Sequence, residues 1–274
     1  MKIDLKGIKL NLISDSGIID PTKKTIIFFH GFGGAATDWK FIFSSLPSGF
    51  QALAIDLIGH GSSDSPIEAF YYSAESINSQ IREVIKSIDI TNPILCGYSM
   101  GGRVALGYAI NYPKEISALI LESSSPGIIE AKEREIRALA DSRLSERLET
   151  IGIEKFFNLW YEQPLFNSLK SNLTLFEKTL KNKTKQNITG LRNSLKYFSP
   201  GLMNSYWNQL NKISVLLLLI SGELDRKYCD INRKINSILD CSQLEIINGA
   251  GHNTHLEKPD EFIKLVNNFL KGLN

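Results

Sequence analysis

Pro93-Ile94-Leu95-Cys96-Gly97-Tyr98-Ser99-Met100-Gly101-Gly102-Arg103 is the stretch on which the reading of this chain turns. A short apolar run passes into Gly-x-Ser-x-Gly and residues 104–111 continue with helical spacing, so the segment reads as strand, sharp turn, helix. In that setting the turn is a nucleophile elbow. Ser99 is forced into a strained conformation, and Gly97 and Gly101 are required because side chains there would collide with the neighbouring strand and helix. Ser99 Oγ then stands exposed at a helix N-terminus, where the positive dipole favours a developing anion. Gly-x-Ser-x-Gly alone is a weak signal, since both residue types are common in turns; the flanking strand and helix give it weight.

Upstream, residues 25–29 form an apolar run of the kind buried on both faces of a parallel sheet, and it ends in His30-Gly31-Phe32-Gly33-Gly34. Glycines free backbone N–H groups to face a ligand. The N–H of Phe32 is therefore expected to supply one oxyanion-hole donor, and that of Met100, just after the nucleophile, the other. His30, at a strand end before glycine, reads as a loop-bracing histidine and not as a base. Residues 3–13, broken at Lys6-Gly7, read as a hairpin, and residues 52–56 as a strand. The turn 57–64 should hold loops beside the site with its polar residues. Residues 73–88 have helical spacing, with Glu75, Arg82 and Glu83 on a solvated face.

Downstream, residues 118–121 are a buried strand ending at Glu122, residues 215–220 another ending at Ser221-Gly222-Glu223-Leu224-Asp225, and residues 243–247 the last. That last strand empties into Asn248-Gly249-Ala250-Gly251-His252-Asn253-Thr254-His255. A closing helix over 259–270 begins at Pro259, where a missing N–H costs nothing. Ser99, Asp225 and His252 thus stand at carboxyl ends of strands, where open α/β sheets place their ligand crevice.

The order Ser, Asp, His is that of the α/β-hydrolases. The expected fold is α/β: an α/β-hydrolase fold with a mostly parallel central sheet, helices on both faces and an inserted helical cap. His252 would accept the Ser99 proton, and Asp225 would fix the imidazole tautomer and stabilise its cation. Two competitors are weaker. His255 leads into the run towards Glu257 and reads as structural, while Glu122 ranks second to Asp225 as the acid and Glu223 lower still.

Between residues 128 and 206 the alternation of strand and helix stops, charges become dense and helical patterns dominate, so this segment reads as the cap and residues 1–127 and 207–274 as the core. Its latter half sets Lys170, Lys178, Lys181, Lys183, Lys185, Arg192 and Lys196 against Glu177 alone. That is either a solvated basic face or a lid over an anionic substrate. Arg103 lies one helical turn after Ser99 on a helix packed against the sheet, where a charge is expensive unless paired. It needs an internal carboxylate or a substrate carboxylate, and the second is the favoured reading.

Bulk properties exclude several classes. A formal charge of +2 over 274 residues argues against a nucleic-acid partner. The longest apolar run, 215–220, is far short of the ~20 residues a membrane span requires. The charged N-terminus is not a signal peptide, and three cysteines (Cys96, Cys229, Cys241) without metal-ligand spacing suit free thiols in a cytoplasmic protein. No metal and no cofactor is expected, and nothing in the sequence speaks to oligomeric state.

Taken together, Phe29-His30-Gly31-Phe32, residues 55–61, Gly97 to Arg103 in the form Tyr-Ser-x-Gly-Gly-Arg, Glu122-Ser123 with Ser125-Pro126-Gly127, Trp160 with Pro164-Leu165-Phe166, residues 221–225 and Gly251-His252-Asn253 resemble the 2-succinyl-6-hydroxy-2,4-cyclohexadiene-1-carboxylate synthases of menaquinone and phylloquinone biosynthesis. The likeness spans nearly the whole chain and is thinnest at the N-terminus and over 169–206. It implies a lyase that removes pyruvate from 2-succinyl-5-enolpyruvyl-6-hydroxy-3-cyclohexene-1-carboxylate, a small polycarboxylate. It also implies that Arg103 and Arg137 bind substrate and that Tyr98 and Trp160 line the pocket. Where the family tends to have a second cap arginine, this chain offers Lys183 or Lys185; lysine keeps the charge but loses the bidentate fork. One rival is a hydrolase of the same fold acting on an ester or carbon–carbon bond, which would have a mostly apolar pocket. The other is a non-catalytic binding protein, which has no need of a full triad.

Overall fold

The structure is a computed structural model and describes residues 1–15 and 17–273. Its strands are β1 (Lys2–Asp4), β2 (Lys9–Ser14), β3 (Lys24–Phe29), β4 (Phe50–Ile55), β5 (Ile94–Tyr98), β6 (Ala118–Glu122), β7 (Leu216–Gly222) and β8 (Ser242–Ile247). They form one sheet in the order β1-β2-β4-β3-β5-β6-β7-β8. β1 and β2 are the antiparallel hairpin expected from residues 3–13, and β2 pairs antiparallel with β4. From β4 to β8 every pairing is parallel.

The core helices are α1 (Lys40–Phe43), α2 (Ala74–Ser87) and α3 (Met100–Asn111), and after the cap α9 (Arg226–Asn236), α10 (Thr254–Glu257) and α11 (Pro259–Lys271). The cap contributes α4 (Ala131–Ile151), α5 (Ile153–Trp160), α6 (Asn167–Ser171), α7 (Leu173–Lys183) and α8 (Ile188–Tyr197) between β6 and β7. Ser73 accepts the Ser76 N–H and caps α2, as its hydroxyl suits it to do. Arg82, placed by its spacing on a solvated face of α2, is half-exposed there, pairs with Glu115 and lies over the Tyr112 ring.

The apolar run of β3 explains why the sheet is covered on both faces. Successive side chains point to opposite sides, so Ile27 and Phe29 pack with Ile81, Val104 and Leu119 while Ile26 and Phe28 pack with Trp39, Phe262 and Val266. Each such side chain, wholly removed from water, contributes about 1.5–3 kcal/mol. Cys96, also wholly buried, is packing, and burial pushes its thiol far up from its ordinary range.

The order of winding reverses at β3: β4 is added on one side of it and β5 on the other. Loops leaving the carboxyl ends of β3 and β5 therefore diverge and leave a crevice between them. β4 stops one residue before Asp56, whose carboxylate ties three segments together by accepting from the Ala36 N–H at 2.6 Å, the Ser62 N–H at 2.9 Å and Asn11 Nδ2 at 2.9 Å.

Over the crevice sits the third apolar cluster, in which Phe156, Phe157 and Trp160 form one face of α5 at helical spacing. Phe32 packs against this cluster and the main core, so the cap rests directly on the loop after β3. A methyl group on Gly190 of α8 would overlap the Gly59 backbone, so α8 seats on the core by bare backbone contact. The two chain crossings into the cap lie side by side: the Tyr206 N–H donates to Pro126 O at 2.7 Å and Trp207 Nε1 to Gly127 O at 3.0 Å. Among the described residues no helix is long and apolar enough to cross a membrane.

Candidate active site

Ser99 sits between β5 and α3 at φ 49° and ψ −105°. That backbone region is costly for a residue with a Cβ, and the surroundings enforce it. The Ser99 N–H donates to Glu122 O at 2.9 Å, and Ser124 Oγ donates to Ser99 O at 3.0 Å. Methyl groups on Gly97 or Gly101 would overlap the Gly101 and Phe29 carbonyl oxygens. Only glycine permits β5, β3 and α3 to approach so closely.

Ser99 Oγ lies 3.0 Å from His252 Nε2, and His252 Nδ1 lies 2.6 Å from Asp225 Oδ2. Asp225 leads into α9 directly after β7, and its side chain and that of His252 are almost wholly buried. With Nδ1–H donated to the carboxylate, Nε2 is left as the acceptor for the serine hydroxyl. The N–H groups of Phe32 and Met100 have no hydrogen-bond acceptor among the described residues. They are two orphan donors at loop ends flanking Ser99.

The competing histidines have other partners. His255 Nδ1 donates to Glu122 Oε2 at 2.7 Å, while the His255 N–H and Thr254 Oγ1 donate to Glu122 Oε1 at 3.0 and 2.6 Å. His255 also stacks on Trp39 with ring centroids 4.4 Å apart. Glu122 is thus wholly taken up in anchoring the loop that carries His252. From the other side, Glu257 accepts the Gly251 N–H at 2.9 Å. Glu223 accepts the Gly249 N–H at the surface. His30 accepts the Leu57 N–H at Nε2, 3.0 Å, and faces Gly31 O through Nδ1, 2.8 Å, so both nitrogens are spent bracing the loop. Burial pushes its imidazole down in pKa.

Beside Ser99 the cavity has two lobes that share Phe32, Arg137, Trp160 and Tyr228. The smaller, about 90 Å³, reaches Arg103, Ser194 and Ser199. The larger, about 310 Å³, reaches Tyr98, Phe166, Lys183, Lys227 and His252. Arg103 has no carboxylate partner among the described residues. Its Nη1 donates to Phe198 O at 2.9 Å, and its guanidinium lies 4.5 Å from the centroid of the Phe198 ring. Burial, and then the like charge of Arg137, push its pKa down to about 10. Arg137 does have an internal partner: Nε donates to Asp141 Oδ2 at 2.8 Å, and Ser199 Oγ donates to the same oxygen at 2.7 Å. Arg103 and Arg137 thus stand close enough to repel beside the cavity, and the charge of Arg137 is met by Asp141, which lines the same lobe.

Lys183 and Lys185 separate clearly. Lys183 is buried, faces the larger lobe and has its Nζ 3.5 Å from Asp38 Oδ2, whereas Lys185 is exposed and pairs only with Asn182 at 3.3 Å. The rest of the basic run does not line this cavity: Lys170 pairs with Glu162, Arg192 with Glu149, and Lys178 lines a different cavity. Among the described residues of the run, Lys183 alone lines this cavity, and it also lines the one that Lys178 and Asp38 line. Tyr98 packs beside His252 with ring centroids 5.3 Å apart, and Trp160 stands 5.0 Å from the Phe32 ring.

The sequence reading missed Tyr228 and Lys227, which line the cavity from the first turn of α9. The available signal was their position just after Asp225, since residues one turn into a helix face much as its start does.

A family model described as the alpha/beta hydrolase fold matches residues 24–259. The 2-succinyl-6-hydroxy-2,4-cyclohexadiene-1-carboxylate synthase of Serratia proteamaculans (strain 568) is 30% identical over 248 residues, 89% of this chain and 92% of that protein. A Bacillus subtilis (strain 168) protein that carries the same name provisionally is 35% identical over 251 residues, 91% of each. Among solved structures, MenH from S. aureus superposes with a TM-score of 0.89 at 30% identity, covering 96% of this chain and 98% of that one. The chain belongs to the alpha/beta hydrolase fold family and, within it, to the 2-succinyl-6-hydroxy-2,4-cyclohexadiene-1-carboxylate synthases.

Proposed function

We propose that this chain eliminates pyruvate from 2-succinyl-5-enolpyruvyl-6-hydroxy-3-cyclohexene-1-carboxylate, giving 2-succinyl-6-hydroxy-2,4-cyclohexadiene-1-carboxylate. It is a carbon–oxygen lyase of menaquinone biosynthesis on a hydrolase scaffold. The observation that carries the reading is Arg103, a half-buried cation with no ion-pair partner among the described residues, in the same cavity as Ser99 and beside Arg137. The substrate's three carboxylates match Arg103, Arg137 and Lys183. An esterase cleft would have no use for so many cations, which weighs against the rival hydrolase.

In this reaction Ser99 Oγ passes its proton to His252 Nε2, 3.0 Å away, and takes the ring proton next to the succinyl ketone. Asp225 stabilises the imidazolium so formed. The ketone oxygen becomes an enolate, held by the N–H groups of Phe32 and Met100. Electrons then return through the ring, the C–O bond to the enolpyruvyl group breaks, and the leaving group takes up a proton to become pyruvate. No acyl-enzyme forms. Ser99 thus acts as half of a base, and its hydrolase geometry is retained because proton abstraction and acyl transfer share an oxyanion. The polycarboxylate substrate and the small net formal charge of +2 suit a cytoplasmic enzyme without nucleic-acid partners.

The test is to follow pyruvate release and diene absorbance from the enolpyruvyl substrate, with Ser99→Ala and Arg103→Ala beside the wild type. Turnover in the wild type and its loss in both variants is expected. An inert wild type that hydrolyses aryl esters briskly would sink the reading.

A further inference from the structure

Tyr228 is a polar side chain of this cavity that the proposed reaction does not use. It lies three residues after Asp225 in the first turn of α9, and its N–H donates to Asp225 O at 3.1 Å. Its ring packs beside His252 with centroids 4.7 Å apart, and the side chain lines both lobes. Lys227, which lines the larger lobe, has its Nζ 5.6 Å from the ring centroid.

The phenol has no hydrogen-bond partner among the described residues, although it sits within electrostatic reach of Asp225, Arg103 and Arg137. Tyr228 is half-buried, and its hydroxyl is not sealed off from the cavity it lines, so a bound molecule can reach it. The two guanidinium groups are donors only, so they leave the phenol proton unused. Burial pushes the phenol pKa up, which keeps that proton in place at neutral pH. What the arrangement lacks is an acceptor.

We infer that Tyr228 is a further substrate-binding residue, whose phenol donates a hydrogen bond to the substrate carboxylate that Arg103 and Arg137 hold. This rests on the reaction proposed above. A carboxylate offers about four lone-pair positions, so it can accept from both arginines and still accept from the phenol. A neutral third donor adds directionality without adding to the repulsion between the two cations. It also makes the lobe reject an ester or amide in place of that carboxylate more strongly than charge alone would.

The experiment is steady-state kinetics of Tyr228→Phe, which keeps the ring beside His252 and removes only the hydroxyl. Arg103→Ala and the double variant are measured alongside, with thermal melting to confirm matched folding. A hydrogen bond to an ionised acceptor is worth roughly tenfold or more in affinity. Tyr228→Phe should therefore raise KM about tenfold with kcat within about twofold of wild type, and its effect should largely vanish in the Arg103→Ala background, because the two residues share one carboxylate. A KM unchanged within about twofold, or a fall in kcat alone, would overturn the assignment while leaving the lyase reading intact. A wild type inert toward the enolpyruvyl substrate would instead defeat the lyase reading itself.

Discussion

Replacing Arg103 by Met should separate binding from stability, because the residue has no carboxylate partner in the empty protein. Burial and Arg137 bring its pKa from 12.5 down to about 10, which means the folded state disfavours the cation by roughly 3 kcal/mol. Against that stand the hydrogen bond from the charged guanidinium to Phe198 O, worth about 1.5–3 kcal/mol, and the contact with the Phe198 ring, worth about 0.5–1 kcal/mol. The balance is within about 1 kcal/mol of zero, so Tm should stay within about 4 °C of wild type or rise slightly. With substrate bound the sign reverses. A carboxylate about 4 Å away at an effective dielectric of about 20 gains about 4 kcal/mol from the guanidinium, and truncating one partner of such a pair costs about 2–5 kcal/mol. kcat/KM should fall at least about 30-fold. The assays are thermal melting without substrate and initial rates of diene formation. A Tm lowered by much more than about 4 °C with kcat/KM nearly intact would refute the reasoning and make Arg103 a structural residue.

Two further outcomes follow from the same geometry. Lys183→Ala should raise KM about tenfold or more, since Lys183 lines the larger lobe, whereas Lys185→Ala should leave kinetics unchanged; equal effects in initial-rate assays would contradict the placement. Burial holds His30 and His60 below the ordinary 6.5, so as pH falls the unfolded chain binds protons first. The stability they provide is complete above about pH 6.5 and is lost as pH drops towards the folded values, by up to about 1.4 kcal/mol per pH unit for each. Urea midpoints measured at pH 7.5 and 5.5 should therefore fall with acid in the wild type and fall less in His60→Leu; equal dependence in both would remove His60 from the account.

Some of the protein is decided by local chemistry and so can be read without the fold. An apolar run into Gly-x-Ser-x-Gly permits one backbone path, because a Cβ at Gly97 or Gly101 has nowhere to go. The buried strands announce themselves because both faces are covered, which leaves no polar alternation to confuse them. That is why the parallel sheet, the elbow and the Ser, Asp, His order were legible. Other features depend on which side chains meet, and sequence distance does not measure that. His252 and His255 lie three residues apart, yet one faces Asp225 and Ser99 while the other turns to Glu122 across the sheet end. Lys183, the last residue of α7, is buried, whereas Lys185 lies in the turn that follows and is exposed. The basic run of the cap looked like one feature and is not, since most of its charges find acids or solvent on the outer surface. Arg103 required the tertiary structure most, because its helix position told only that it must be paired. The tertiary structure gives it the Phe198 carbonyl and ring, and leaves the nearby Asp141 carboxylate paired with Arg137 instead.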